Sequence, residues 1–245
     1  MRYPLRTVLQ WLGPVLGVGR DDIAVFGSWS TFRWIVDDSP TGVLVNAGFA
    51  PYRGGDRDLR QLSARQFDTY TPWTRARADR FTHAFGLAHL RRARPRVLYL
   101  AFNDADEAAH AGQYEETLDA LHAADAHLAE LWTTIAADPD LRQHTTLVLT
   151  VDHGRGRTSR DWRDHGPGVD GADETWLGCF GPHVTARGVL TDHEPLEERQ
   201  VAATLAAVVG QDFLAAFPGA APPIPQCLGR PSDLDARRGP APRDR

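Results

Sequence analysis

Val97-Leu98-Tyr99-Leu100-Ala101-Phe102 runs straight into Asn103-Asp104-Ala105-Asp106-Glu107-Ala108-Ala109-His110. The first half is an unbroken apolar run of strand length, which reads as a buried strand. The second half is acidic and ends in histidine. In parallel α/β sheets, functional groups gather at the carboxyl ends of strands. A cluster of carboxylates at such an end is costly unless something positive meets it. Asp106 and His110 are four apart, so on one helical turn both project to the same side. A carboxylate and an imidazole together suit a borderline metal such as zinc or manganese.

Four further apolar runs, 23–28, 42–46, 146–151 and 175–180, have the same strand character. Helical patterns lie between them. Leu118, Leu121, Asp125, Leu128, Trp132 and Ile135 recur at 3-4-3-4-3 spacing, which predicts an amphipathic helix over 112–137. Asp125 falls on that stripe and reads as a core aspartate with hydrogen-bond partners. Further helices are predicted over 72–92 and 196–209, with Pro139 and Gly210 as helix stops. Strands alternating with helices give an α/β fold, a mostly parallel sheet with helices on both faces. A single α/β domain over 1–228 is expected, followed by a disordered tail over 229–245, where Pro, Gly and Arg dominate.

The run 146–151 also ends in chemistry, Asp152-His153-Gly154, with Gly154 free to turn or to let another backbone approach. Beyond it comes Asp161-Trp162-Arg163-Asp164-His165-Gly166. The three stretches supply Asp106, His110, Asp152, His153 and His165, a set with oxygen and nitrogen donors and no thiolate. It fits two adjacent metal sites, and two metals about 3.5–4 Å apart form the clamp used for displacement at phosphorus. Arg155, Arg157 and Arg160 follow closely and could meet an anionic substrate.

The order strand, D-x-x-x-H, long helix, strand, D-H-G, loop histidine resembles the alkaline phosphatase superfamily. Its nucleotide pyrophosphatase/phosphodiesterase and phosphopentomutase branches are nearest in ligand type. The resemblance implies an alkaline phosphatase-like core and metal-dependent hydrolysis of phosphate or sulfate esters. It places Asp106, His110 and His165 on a first divalent metal, and Asp152 and His153 on a second, with zinc or manganese as the ions. In the family a Thr or Ser alkoxide attacks in line, and water then hydrolyses the covalent intermediate. The family's second metal also takes an aspartate from the first strand, and both that aspartate and the nucleophile normally precede the region this chain resembles. No such aspartate or nucleophile is identified here. Ser28, Ser30 or Thr31 could be proposed as nucleophile, but Ser30 and Thr31 read better as a helix cap. The chain therefore reads as an N-terminally truncated member, with about one metal bound and weak or absent turnover. The alternatives are a non-catalytic pseudoenzyme fragment that binds metal, and a plain α/β binding module with structural histidines.

Composition narrows the rest. At 245 residues with 42% hydrophobic and 24% charged residues, the chain suits a globular fold and not a low-complexity or collagenous one. All 27 basic residues are arginine, which removes lysine-based mechanisms. A net charge of −5 gives no nucleic-acid footprint. The expected partner is a small anionic ester, with no membrane role, and the oligomeric state is open. The N-terminus carries no signal peptide, so the chain as written reads as cytoplasmic, although family members are often exported. Cys179 and Cys227 read as two buried free thiols in preference to one bridge. The seven histidines outside the motifs read as surface or core residues.

Overall fold

A computed structural model describes residues 6–36, 42–52, 57–71, 73–191 and 194–229. The predicted tail therefore lies outside the described residues except for Gly229. The elements in chain order are α1 (Val8–Leu16), β1 (Ile23–Gly27), α2 (Phe32–Ile35), β2 (Leu44–Ala47), α3 (Arg57–Asp68), α4 (Asp79–Ala93) and β3 (Val97–Ala101). They continue with α5 (Asp104–His110), α6 (Tyr114–Ala137), α7 (Pro139–His144), β4 (Leu147–Thr150), β5 (Leu177–Phe180), α8 (Val201–Val208) and α9 (Phe213–Ala216). The chain divides into unit 1, Met1–Thr134 with Trp162–Asp164, and unit 2, Ile135–Asp161 with His165–Arg245.

Unit 1 is built on a parallel sheet in the order β2-β1-β3. β1 is central and buried at all five positions, as a strand covered on both faces must be. Its register sets Phe26 beside Asn46 on one side and beside Leu100 on the other. The core beneath is Ala24, Phe26, Phe81 and Phe85, flanked by Leu44, Leu59, Leu62, Leu98 and Leu100. α4 comes close to β3 through Gly86, where a Cβ would stand 2.4 Å from a methyl of Leu100. α1 opens on a capping box in which Thr7 accepts from the Gln10 amide, and it closes on Gly17 at φ 64°.

The α/β class and all five strands agree with the sequence, while several details differ. α4 begins at Asp79 rather than at 72, because 73–78 is a bend followed by an isolated bridge of Ala76 to Trp29. α3 is an element the apolar pattern did not predict. Its buried residues are Ser63 and Gln66, which bond inward: Ser63 Oγ accepts from the Tyr52 amide at 2.7 Å, and Gln66 Nε2 donates to the Ala50 carbonyl at 3.3 Å. α6 buries Leu131 and Ile135, but Leu118, Leu121 and Trp132 are exposed. Asp125 is exposed as well, so it is a surface residue and not the expected core aspartate. Pro139 lies just past the end of α6 and also opens α7, with Asp138 capping the Asp140 and Leu141 amides.

In unit 2, β4 and β5 pair antiparallel as a separate two-stranded sheet, with Val148 opposite Cys179. The apolar runs gave no sign of this direction. The predicted helix over 196–209 starts as a 3-10 turn, Glu198–Gln200, before α8, and Gly210 follows at φ 80°. Thr204 is fully buried and well partnered, donating to the Gln200 carbonyl and accepting from the Ile224 amide, both at 2.8 Å.

The two cysteines are not free thiols: Cys179 and Cys227 form a disulfide across 48 residues, with Cα atoms 5.3 Å apart. β5 and the 3-10 turn Pro225–Cys227 meet only through tertiary structure, which the sequence separation does not reveal. A closed loop of this length contributes about 4 kcal/mol through loss of unfolded-state entropy.

A candidate metal centre

Asp106 and His110 lie in unit 1, and Asp152, His153 and His165 lie in unit 2. In unit 1 the acidic stretch after β3 folds as α5, which supplies the helical turn on which the spacing of Asp106 and His110 sets both to one side. Its start is fixed by a reciprocal cap. Asp79 accepts from the Asn103 amide at 2.8 Å and the Asp104 amide at 2.9 Å, while Asp104 accepts from the Asp79 amide at 3.0 Å. Each carboxylate thus caps the other residue's helix, satisfying amides that helix starts leave without partners. Asp106 and His110 then project together, with Oδ2 and Nε2 3.5 Å apart. Two ligands held about 2.0–2.1 Å from one tetrahedral ion lie about 3.4 Å apart. The pair therefore has the spacing of one edge of a metal site.

Behind the cap is a buried polar network that the sequence did not reveal. Ser28 Oγ donates to Asp79 and pairs with Thr82 Oγ1 at 2.8 Å. Arg77, fully buried, donates to Thr82 Oγ1 at 2.9 Å and to the side chain and carbonyl of Asn46. Burial lowers the Arg77 guanidinium to about 9 against the opposing pull of Asp79. Burial, reinforced by the nearby Asp104 charge, pushes the Asp79 carboxyl up to about 7 although three hydrogen bonds oppose it. Folded Asp79 thus holds a proton that the unfolded chain releases. Its contribution to stability is full below its ordinary value near 3.8 and is lost as pH rises through about 7. The expected result is that Asp79→Asn removes this loss, seen as a smaller difference in urea midpoint between pH 5 and pH 7.5 than in the native chain.

Ser28 takes no part in attack in this arrangement, being wholly buried and bonded. Thr31 holds the N-cap position of α2 but makes no side-chain capping bond, so the cap reading is met in position only.

In unit 2, His153 follows β4 by three residues. Its Nδ1–H donates to the Gly154 carbonyl at 2.9 Å, which leaves Nε2 as the lone-pair nitrogen. That Nε2 is 3.7 Å from Asp152 Oδ1, again close to a ligand edge. The His153 and His165 rings stack with centroids 3.6 Å apart at 11°, and each offers a ring nitrogen within 4.8 Å of the other's. Gly154 makes this placement feasible. A Cβ there would stand 2.1 Å from the Gly171 carbonyl oxygen and 2.5 Å from that of Glu174. Both are backbone atoms, and the Gly154 amide donates to Ala172 at 2.9 Å in the same place. Gly154→Ala is expected to cost more than about 2 kcal/mol and to weaken metal binding with it, measured by melting with and without added metal.

Of the three arginines, Arg157 is committed to Glu174 and to Asp170 at 3.8 Å. Arg155 is half-buried, and Arg160 is exposed in the loop that Asp161 ties down by accepting from the Thr158 amide and hydroxyl. Glu198, which no motif singled out, has its carboxyl raised by burial, with the Asp152 charge adding and His153 opposing.

No described helix is long and apolar enough to cross a membrane. Comparison with curated proteins and with solved structures returned no match. The family model for type I phosphodiesterase / nucleotide pyrophosphatase matches residues 29–172, a span that holds Asp106, His110, Asp152, His153 and His165. That match covers more than half of the chain, and with the strand-end donors in their expected order it means that the chain belongs to the type I phosphodiesterase / nucleotide pyrophosphatase family, within the alkaline phosphatase superfamily.

Proposed function

We propose that this chain is a divalent-metal-binding domain for phosphoester hydrolysis, with His153 and His165 as ligands beside Asp152 in unit 2, and with Asp106 and His110 of unit 1 as donors on the ground of family membership. The observation that carries the reading is the approach of the His153 and His165 ring nitrogens to within 4.8 Å, from which a turn of the stacked rings would let both face one ion, with His153 Nδ1–H donated to the Gly154 carbonyl. Family membership supports the reaction class. Zinc and manganese are the ions proposed, on donor chemistry. A bound ion supplies Lewis acidity toward a phosphoryl oxygen.

The chain's own groups do the rest. His153 and His165 hold their rings rigid by mutual stacking, and the α5 cap orients Asp106 and His110. Arg155 and Arg160 are proposed to attract the anionic ester, with Arg157 in reserve behind its carboxylate partners. The substrate is proposed to be a small phosphate diester.

A second reading, metal binding without turnover, is favoured by Ser28, whose hydroxyl at the end of β1 is buried and consumed by Asp79 and Thr82. Incubating the 245-residue chain with manganese or zinc and a nitrophenyl phosphate diester separates the two. Release of nitrophenol that is abolished by chelator and by His165→Ala supports the hydrolase. Metal binding with no release supports the second reading.

A further inference from the structure

In unit 2 the segment 221–228 is fastened to two different elements. On one side the Ile224 amide donates to Thr204 Oγ1 in α8 at 2.8 Å, and the Gln200 side chain donates to the Pro222 carbonyl at 3.2 Å. On the other side Cys227 is bonded to Cys179 in β5. β5 is in turn registered on β4, with Cys179 opposite Val148, and Thr150 Oγ1 donates to the Trp176 carbonyl at 2.8 Å. Asp152 and His153 follow Thr150 directly, after one intervening residue. The segment therefore joins α8 to β5, the strand paired with the one that leads into Asp152 and His153, and the disulfide is its covalent tie on the β5 side.

We propose that 221–228 is a strap that positions the Asp152–His153 donors, and that the Cys179–Cys227 bridge is its redox-sensitive fastening, so that a dithiol reductant weakens metal binding. The inference rests on the metal-binding reading above. A reductant thiolate attacks Sγ of Cys179, the partly exposed partner, since Cys227 is only 3% exposed. The S–S bond breaks and Cys227 leaves as a thiolate that takes up a proton. The reductant's second thiolate then displaces Cys179, which is protonated in turn. The bridge gains two electrons and two protons, and the dithiol becomes a disulfide. Cys179 and Cys227 are positioning residues here, acting through β5 and β4 on His153.

The test is calorimetric titration with Mn²⁺, a hard ion with little taste for free thiols. The whole chain is compared bridged, reduced, and as the Cys179→Ser/Cys227→Ser double variant, at a temperature where circular dichroism shows all three folded. The expected result is a Kd at least about tenfold weaker without the bridge, restored when the reduced native chain is reoxidised. Thr204→Val keeps the bridge but loosens the α8 side, and a several-fold weakening is expected there too, which keeps a test in hand if the double variant does not fold. Equal affinity in the bridged and reduced chains, even with a lower melting temperature, overturns the strap and leaves the metal reading intact. No Mn²⁺ binding by the bridged chain overturns both.

Discussion

Arg77→Ala is expected to destabilise unit 1 by about 3–5 kcal/mol, the cost of truncating a large, fully buried side chain and stranding its hydrogen-bond partners. Arg77 is fully buried, donates to Asn46 and Thr82, and lies with its guanidinium carbon 5.0 Å from the centre of the Phe85 ring. Alanine removes all of these at once. It leaves Asn46 Oδ1 and Thr82 Oγ1 without the donors that Arg77 supplies. It also opens a cavity against Phe85, at the heart of the apolar cluster. Set against a total stability of about 5–15 kcal/mol for a typical domain, this is a large share, and melting should fall by roughly 10 °C or more. Arg80, three residues on, is exposed and covers the Phe81 ring at 5.0 Å. Arg80→Ala should cost no more than about 1 kcal/mol, so the pair of variants separates burial from charge. Because Asp79 caps the start of α5, metal affinity should decline along with stability in Arg77→Ala.

What the sequence made legible is local. β3 and α5 could be read from one stretch because the change from apolar run to acid-rich turn happens within a few residues, and the D-H-G turn was legible for the same reason. The Asp106–His110 edge follows from helical spacing alone. What stayed hidden depends on partners far away in the chain. Ser28 meets Asp79 across 51 residues, and Arg77 meets Asn46 across 31. Nothing in Arg77-Ala78-Asp79 announces burial, since charged residues are ordinarily at the surface. α3 escaped notice because the side chains it buries are Ser63 and Gln66, which break the apolar period. The reverse error was Asp125, which sits on an apolar period that α6 leaves exposed. The disulfide was missed because a pair of cysteines 48 residues apart carries no signal of its own. The antiparallel pairing of β4 with β5 was missed because an apolar run specifies a strand but not its direction.

The second large effect concerns the metal. A ligand that binds only the folded chain stabilises it by mass action, about 2.7 kcal/mol at a free concentration of one hundred times Kd. Manganese or zinc should therefore raise the melting temperature of the native chain, and chelator should reverse the rise. His165→Ala removes one nitrogen donor and the ring on which His153 stacks. It should abolish the metal-dependent rise while leaving the melting of the metal-free chain almost unchanged, because His165 is a loop residue outside every helix and strand. His153→Ala should act alike on the metal, with Asp152 left beside an empty position. Loss of a direct ligand is expected to weaken affinity at least about a hundredfold, beyond the 10–100-fold typical of outer-shell partners.

The most direct measurement is a calorimetric titration of the bridged chain with Mn²⁺ and with Zn²⁺, run beside His153→Ala and His165→Ala. The account predicts that the native chain binds about one ion, through the donor set of a phosphodiesterase-family site, and that both variants lose that binding while keeping the native circular dichroism spectrum. Native-like affinity in either variant, or no binding by the native chain, would contradict it.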